Sequence, residues 1–247
     1  VQQNENFREM KETKTRPLQK MFDRVPRRYD LINRIITWGL DRPWRKKAVR
    51  RCLEHHPQII LDLGCGTGDL AIELAETGDR RPLVIGFDFS RPMLETAVKK
   101  ASRMQNKINL TWIQGDVREL PFADSSLACA GISFAFRNLT YRNPYREVFL
   151  REICRVLKSG GRFVIVESSR PQCKLIHVLF RWYVRVFVSA AGRLVSKDRG
   201  AYRYLAESVI HFYTPDEVAG LLRQAGFSRV EHQPLLFGAA ALHTAVK

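Results

Sequence analysis

A chain of 247 residues is long enough for one large α/β domain or two small ones, and 45% hydrophobic residues is ample for a packed core. Its 41 Lys and Arg against 25 Asp and Glu give a formal charge of +16, which favours anionic surfaces such as nucleic acid or acidic lipid headgroups. Five scattered cysteines without a C-x-x-C pair argue against both a disulfide framework and a zinc site, so no metal is expected and a reducing compartment is favoured.

Residues 1–16 are polar and mixed in charge, with no apolar core of a secretory signal. They read as a disordered lead-in, compatible with a transit peptide removed ahead of them, and residues 17–247 read as a single domain. From 17 to 53 basic and aromatic residues interleave with helical spacing (Met21, Val25, Tyr29, Ile32), which predicts two or three short helices.

An apolar strand at 59–63 then runs into the turn Gly64-Cys65-Gly66-Thr67-Gly68-Asp69, and Asp88 closes the next apolar run. The turn must pass close beneath a ligand with backbone angles that a Cβ forbids, which suits Gly64, Gly66 and Gly68. An acid some twenty residues on is placed to accept from ribose hydroxyls. A dinucleotide fingerprint would need glycine at position 69, where Asp69 stands. The G-x-G-x-G turn after Asp62 resembles instead the S-adenosylmethionine loop of Rossmann-like class I methyltransferases.

Further strands are expected at 83–88, 108–114, 127–133 and 162–168, with helices at 69–76, 92–104 and 145–157. This βαβ rhythm predicts an α/β fold with a mostly parallel sheet. After Pro171 an apolar and basic stretch at 174–195 is too interrupted by charge to cross a bilayer. On a helix, Lys174, His177, Arg181 and Arg185 form one stripe and Leu175, Leu179, Trp182, Val186 and Ala190 another. That pattern suits an interfacial helix on an anionic membrane, and equally a helix packed over a site with a solvated basic face. Thr214, Pro215 and Glu217 announce a capped helix that stops at Gly226. Strands at 228–233 and 239–246 complete a sheet of seven.

Dispersed blocks resemble the UbiE/MenG family of ubiquinone and menaquinone biosynthesis C-methyltransferases. They are Tyr29-Asp30-Leu31-Ile32-Asn33 with Trp44, Ile132-Ser133-Phe134 with Arg137-Asn138, Arg155-Val156-Leu157-Lys158 with Gly160-Gly161 and Glu167, and Tyr202-Arg203-Tyr204-Leu205-Ala206-Glu207-Ser208. The chain departs from the family pattern at Asp41 (histidine), Ala135 and Phe136 (glycine and leucine), Ser159 (proline) and within Glu167-Ser168-Ser169-Arg170-Pro171. Ala135 and Phe136 are the departures expected to bear on ring specificity.

The resemblance implies a Rossmann-like domain with helical caps at 17–53 and 172–210, S-adenosylmethionine as cofactor, and a polyprenylated hydroquinone as the acceptor of a ring-carbon methyl. It implies cofactor contacts at Thr67, Asp88, Asp116, Val117 and Ser133, beside Asp62, the three glycines and Phe89. Asp88 suits the ribose hydroxyls, Asp116 the adenine amino group, and the small Thr67 and Ser133 bond without crowding. It further implies work at a membrane surface, in the cytoplasm or on the matrix side of an organelle, and leaves a homodimer open.

A hydroquinol carbon attacks a sulfonium methyl well once a neighbouring hydroxyl loses its proton, and a fixed cation stabilises the resulting anion. Arg137 is the candidate cation. Arginine does not act as a base, so the proton acceptor is sought among Asp30, Asn33 and Tyr202, with Tyr29, His177 and Glu207 in the wider pool. Tyr202 and Tyr204 also read as buried rings, Asp30 as a helix cap and His177 as one more basic residue. Two other functions compete: methylation of RNA or another small aromatic, and a non-catalytic subunit that binds lipid or a partner. Nucleic acid is disfavoured, because no RNA-binding module is visible and the block at 202–208 would have no role.

Overall fold

The structure, a computed structural model, describes residues 30, 33–34, 36–77, 81–104, 109–188 and 199–247, with the backbone alone described over 199–204. The lead-in at 1–16 and residues 17–29, 31–32 and 35 of the first expected cap, Tyr29 among them, lie outside the described residues.

Five parallel strands form the body of one sheet: β1 (Ile59–Leu63), β2 (Leu83–Asp88), β3 (Leu110–Gln114), β4 (Leu127–Ser133) and β5 (Leu157–Ser168). The antiparallel β7 (Ala240–Val246) lies between β5 and β6 (Arg229–Leu235), giving the order β3-β2-β1-β4-β5-β7-β6. The order reverses beside β1, so the carboxyl ends of β1 and β4 diverge and open a crevice there.

Helices cover both faces, which is why the central strands read as continuous apolar runs instead of alternating ones. Alternate residues serve separate cores: Ile60 packs with α1 (Asp41–Leu53) and α2 (Asp69–Glu76), and Leu61 with α5 (Arg146–Val156) and α8 (Pro215–Gln224). The short α4 (Phe136–Thr140) follows β4, and α3 (Arg91–Ala101) follows β2.

Three expectations change. The fifth strand begins at Leu157, five residues before the expected start, because Leu127 pairs with Leu157 before a bulge brings Cys129 opposite Arg162. The helix expected at 174–195 is α6 (Lys174–Tyr183), which passes into a π-helical turn at Val184–Val188; 189–198 lie outside the described residues. Phe136, expected to bear on ring specificity, is wholly buried between Phe163 and Phe212 as part of the core. Thr214 forms the full capping box with Glu217, as its spacing predicts, and Gly226 turns the chain at φ 105°. The block at 202–208 lies on α7 (Arg199–Ile210).

Candidate active site

Two cavities meet above the carboxyl ends of β1 and β4. The first is an open cleft of about 820 Å3, its mouth to solvent included. The glycine turn forms its floor, with Gly64, Gly66 and Gly68 at φ 60°, 52° and 86°. At Gly68 a Cβ would come within 2.6 Å of the Trp112 ring, so only glycine lets the turn enter α2 there.

Asp88 holds this turn in shape: its carboxylate accepts from the Gly66 N–H and the Ser90 N–H, both at 2.8 Å. The same carboxylate lines the cleft that a ribose would fill. Asp62, Phe89, Val117 and Ser133, all expected to touch a cofactor, line the same cleft. Thr67 also lines it, but its hydroxyl is engaged, donating to Asp30 Oδ1 at 2.5 Å and accepting from Lys100 Nζ at 3.0 Å.

Asp116 departs from expectation. Its half-exposed carboxylate binds Arg118 Nη2 at 2.6 Å and the Arg118 N–H at 2.8 Å, and it is absent from the cleft lining.

The polar lining fits a nucleoside that ends in an amino acid. Among the described residues nine buried side-chain polar atoms have no partner, and five belong to cleft residues: Arg45 Nε, both Asp62 oxygens, Ser133 Oγ and Asn138 Oδ1. Buried polar atoms ordinarily find partners, so this concentration marks a place where a polar guest supplies them. Burial holds the Asp62 carboxyl well above its usual range, opposed by the nearby Ala71 amide, which stays outside hydrogen-bond geometry, and by Arg45.

The second cavity encloses about 1390 Å3, its wide mouth included, and its walls are mainly apolar. Trp44, Phe180, Leu205 and Val209 line it, with Asn33, Thr37, Arg137, Ser168 and Tyr183 among its polar residues. Arg137 is buried, and Glu167 and Ser168 hold it. Nη1 donates to Glu167 Oε1 at 3.0 Å and to Ser168 Oγ at 2.9 Å, while its backbone N–H reaches Glu167 Oε2 at 3.0 Å. The predicted cation is therefore fixed in the chamber, and Glu167 compensates its charge.

Asn33 and Phe134 line both cavities and mark their junction. Trp44 packs on Phe134 at 6.4 Å between ring centroids, and Phe134 takes a left-handed φ of 55°, uncommon for a bulky residue.

The other proposed proton acceptors are dispersed. Asp30 sits on the cleft side, bound to Thr67 and to Lys100 Nζ at 2.7 Å, and does not line the apolar chamber. Glu207 is exposed and pairs with His211, and His177 lies outside both linings. The backbone of Tyr202 is on α7, while its side chain lies outside what is described. Sequence reasoning missed Arg45, Lys100 and Ser168 as site residues. Their separations from the glycine turn hide the contacts, although the family signature had already drawn Trp44 and Glu167 into view.

Comparison with known proteins agrees with this geometry. The ubiE/COQ5 methyltransferase family profile matches residues 8–247. The demethylmenaquinone methyltransferase of Deinococcus radiodurans is 39% identical over 232 residues, covering 94% of this chain and 93% of its own. That of Thermus thermophilus is 40% identical over 223 residues, covering 90% and 98%. The ubiquinone/menaquinone biosynthesis C-methyltransferase UbiE of Syntrophotalea carbinolica is 40% identical over 230 residues, covering 93% and 92%.

Among solved structures, a methyltransferase in complex with the Haloferax volcanii Trm112 activator superposes with a TM-score of 0.63 at 19% identity, covering 91% of this chain and 96% of its own. A SAM-dependent methyltransferase of Thermotoga maritima gives 0.59 at 19%, covering 92% and 99%. These two establish the Rossmann-like methyltransferase fold. With the family profile spanning nearly its whole length and relatives at about 40% identity, the chain belongs to the ubiE/COQ5 methyltransferase family.

Proposed function

We propose that this methyltransferase transfers the methyl of S-adenosylmethionine to a ring carbon of a polyprenylated hydroquinone in quinone biosynthesis. The observation that carries the reading is the direct junction of a cleft lined by charged and polar groups with a large, mainly apolar chamber that holds a buried arginine beside a serine. The names of the relatives support the acceptor class. RNA has no comparable support: the chamber walls are apolar, and the positive charge alone does not select nucleic acid.

Bound S-adenosylmethionine supplies an activated methyl group on a sulfonium. The protein's task is alignment and exclusion of water. Asp88 fixes the ribose, and Phe134 and Asn33 frame the opening through which the methyl meets the ring. In the chamber Arg137 donates to the quinol oxygen. Ser168 Oγ, which donates to Glu167 Oε1 at 2.8 Å, offers the quinol hydroxyl a route for its proton toward Glu167. Arg137 keeps the role read from the sequence, and the Ser168–Glu167 pair takes the place of Asp30.

The mouth of the chamber supports drawing the substrate from a membrane. Leu175, Val178, Leu179 and Trp182 on α6 are all more than half exposed, as are Trp38 and Phe237. Trp38 and Phe237 take left-handed φ of 54°, a cost that functional surfaces tolerate. Lys174 and Arg181 on α6, and Arg185 in the π turn after it, supply basic groups beside these apolar residues, an arrangement suited to acidic headgroups. Among the described residues no helix is long and apolar enough to cross a membrane.

Incubation with methyl-labelled cofactor and a panel of prenylated quinols against bulk RNA tests the assignment. Label is expected in a quinol, with loss of transfer in Asp88→Ala. Label recovered in RNA alone would overturn it.

A further inference from the structure

The cleft has two chemically distinct ends. Asp88 and Phe89 mark one, with Met93, Val117 and Leu139 supplying apolar walls suited to a flat base. At the other, charged side chains crowd together: Arg45, Asp62, Asp69 and Asp30 all line it, and Lys100 bridges Asp30, Thr67 and Asp69.

Within that charged end two buried groups of opposite sign have unpartnered atoms. Both carboxylate oxygens of Asp62 are buried without a hydrogen-bond partner among the described residues, and so is Arg45 Nε. The two groups act on each other electrostatically. Arg45 is also anchored, because its Nη2 reaches Asp41 Oδ2 and Asp69 Oδ2, each at 3.2 Å. Its rotamer is therefore set before any ligand arrives, and its Nε–H remains available for another acceptor. The Asp41 that departs from the family signature is thus a buried anchor for this arginine.

A paired cation and anion with unsatisfied atoms complement a zwitterion. The cofactor's amino-acid tail carries one carboxylate and one ammonium, and its sulfonium makes the whole molecule net positive, which suits an end richer in Asp than in Lys and Arg. Resting on the reading of this cleft as the S-adenosylmethionine site, we infer that Arg45 is a further cofactor-binding residue. It receives the tail carboxylate through Nε while Asp62 receives the tail ammonium. This orientation places the ribose at Asp88 and turns the sulfonium methyl toward Asn33 and Phe134, where the two cavities join.

Two ligands separate this assignment from a purely structural role for Arg45. S-adenosylhomocysteine keeps the amino-acid tail, and 5′-methylthioadenosine keeps the nucleoside and sulfur without it. Calorimetry on the full chain should show Arg45→Gln weakening S-adenosylhomocysteine by about 10- to 100-fold, the worth of one or two charge-assisted hydrogen bonds. Methylthioadenosine binding should stay within about twofold, which also shows that the variant is folded. Arg45→Lys should recover part of the loss, since it restores charge without the guanidinium fork.

Equal weakening of both ligands by Arg45→Gln, or no weakening of S-adenosylhomocysteine, would overturn the inference. No quinol is present, so an error in the acceptor leaves these outcomes unchanged. Failure of the unaltered protein to bind either ligand would instead remove the cofactor reading itself.

Discussion

Arg137, Glu167 and Ser168 show how much chemistry depends on a contact that spans thirty residues of sequence. Arg137 was visible as a candidate because a cation is the simplest way to stabilise a phenolate. Its partner was hidden, because β5 alone decides that Glu167 ends opposite the start of α4. An arginine compensated by a buried carboxylate is a weaker lone electrostatic stabiliser than a bare cation, but a better-positioned donor. If Glu167 receives the substrate's proton through Ser168, Glu167→Gln should lower kcat by about 10²- to 10³-fold. Cofactor affinity measured by calorimetry should be unchanged, and a kcat within a few-fold of the original would rule out the route.

His243 offers a second test at this scale. Burial in β7 drives its imidazole down to about 3, helped by the neighbouring His232 and opposed by Asp216. The folded protein keeps it neutral while the unfolded chain protonates it near its ordinary value of 6.5. Its contribution to stability is therefore complete above pH 6.5 and is lost as pH falls toward 3, by at most about 1.4 kcal/mol per pH unit. Asp62, whose carboxyl burial raises, contributes with the opposite sign. Denaturant titrations across this range should show a shallower acid loss in His243→Asn than in the unaltered chain. Parallel slopes would show that His243 does not govern it.

Among the elements, legibility followed locality. The glycine turn, the capping box at Thr214 and the strands β1, β2 and β4 carry their signals within a few residues, and their bounds follow from sequence. The early start of β5 depends on a bulge against β4, and the break of α6 into a π turn depends on packing with α7; local pattern encodes neither. The cofactor cleft was readable because one turn and one acid define it. The charged end was not, because Arg45, Asp69 and Lys100 converge from three helices.

The stripe on α6 was legible as a pattern, while its partner was open. The structure leaves its apolar residues facing outward beside Trp38 and Phe237. Replacing Trp182 and Phe237 together by Ser should reduce co-sedimentation with anionic liposomes several-fold, and raised salt should weaken the binding of the unaltered protein. Binding insensitive to both would place the membrane contact elsewhere.

At the scale of the whole molecule, the sheet serves to bring two unlike solvents to one point. One cavity carries charged and polar groups among its walls; the other is wider and almost wholly apolar, as a ring with a prenyl tail demands. Asn33 and Phe134 stand between them. Cofactor and acceptor thus enter by separate mouths and meet at the junction.

The most direct measurement of this arrangement is the bond that the transferred methyl makes. With carbon-13 in the methyl of S-adenosylmethionine and a short-chain prenylated quinol, nuclear magnetic resonance of the product should place the label on a ring carbon. A label on a quinol oxygen, or none on the quinol while the cofactor is turned over on another acceptor, would contradict the account.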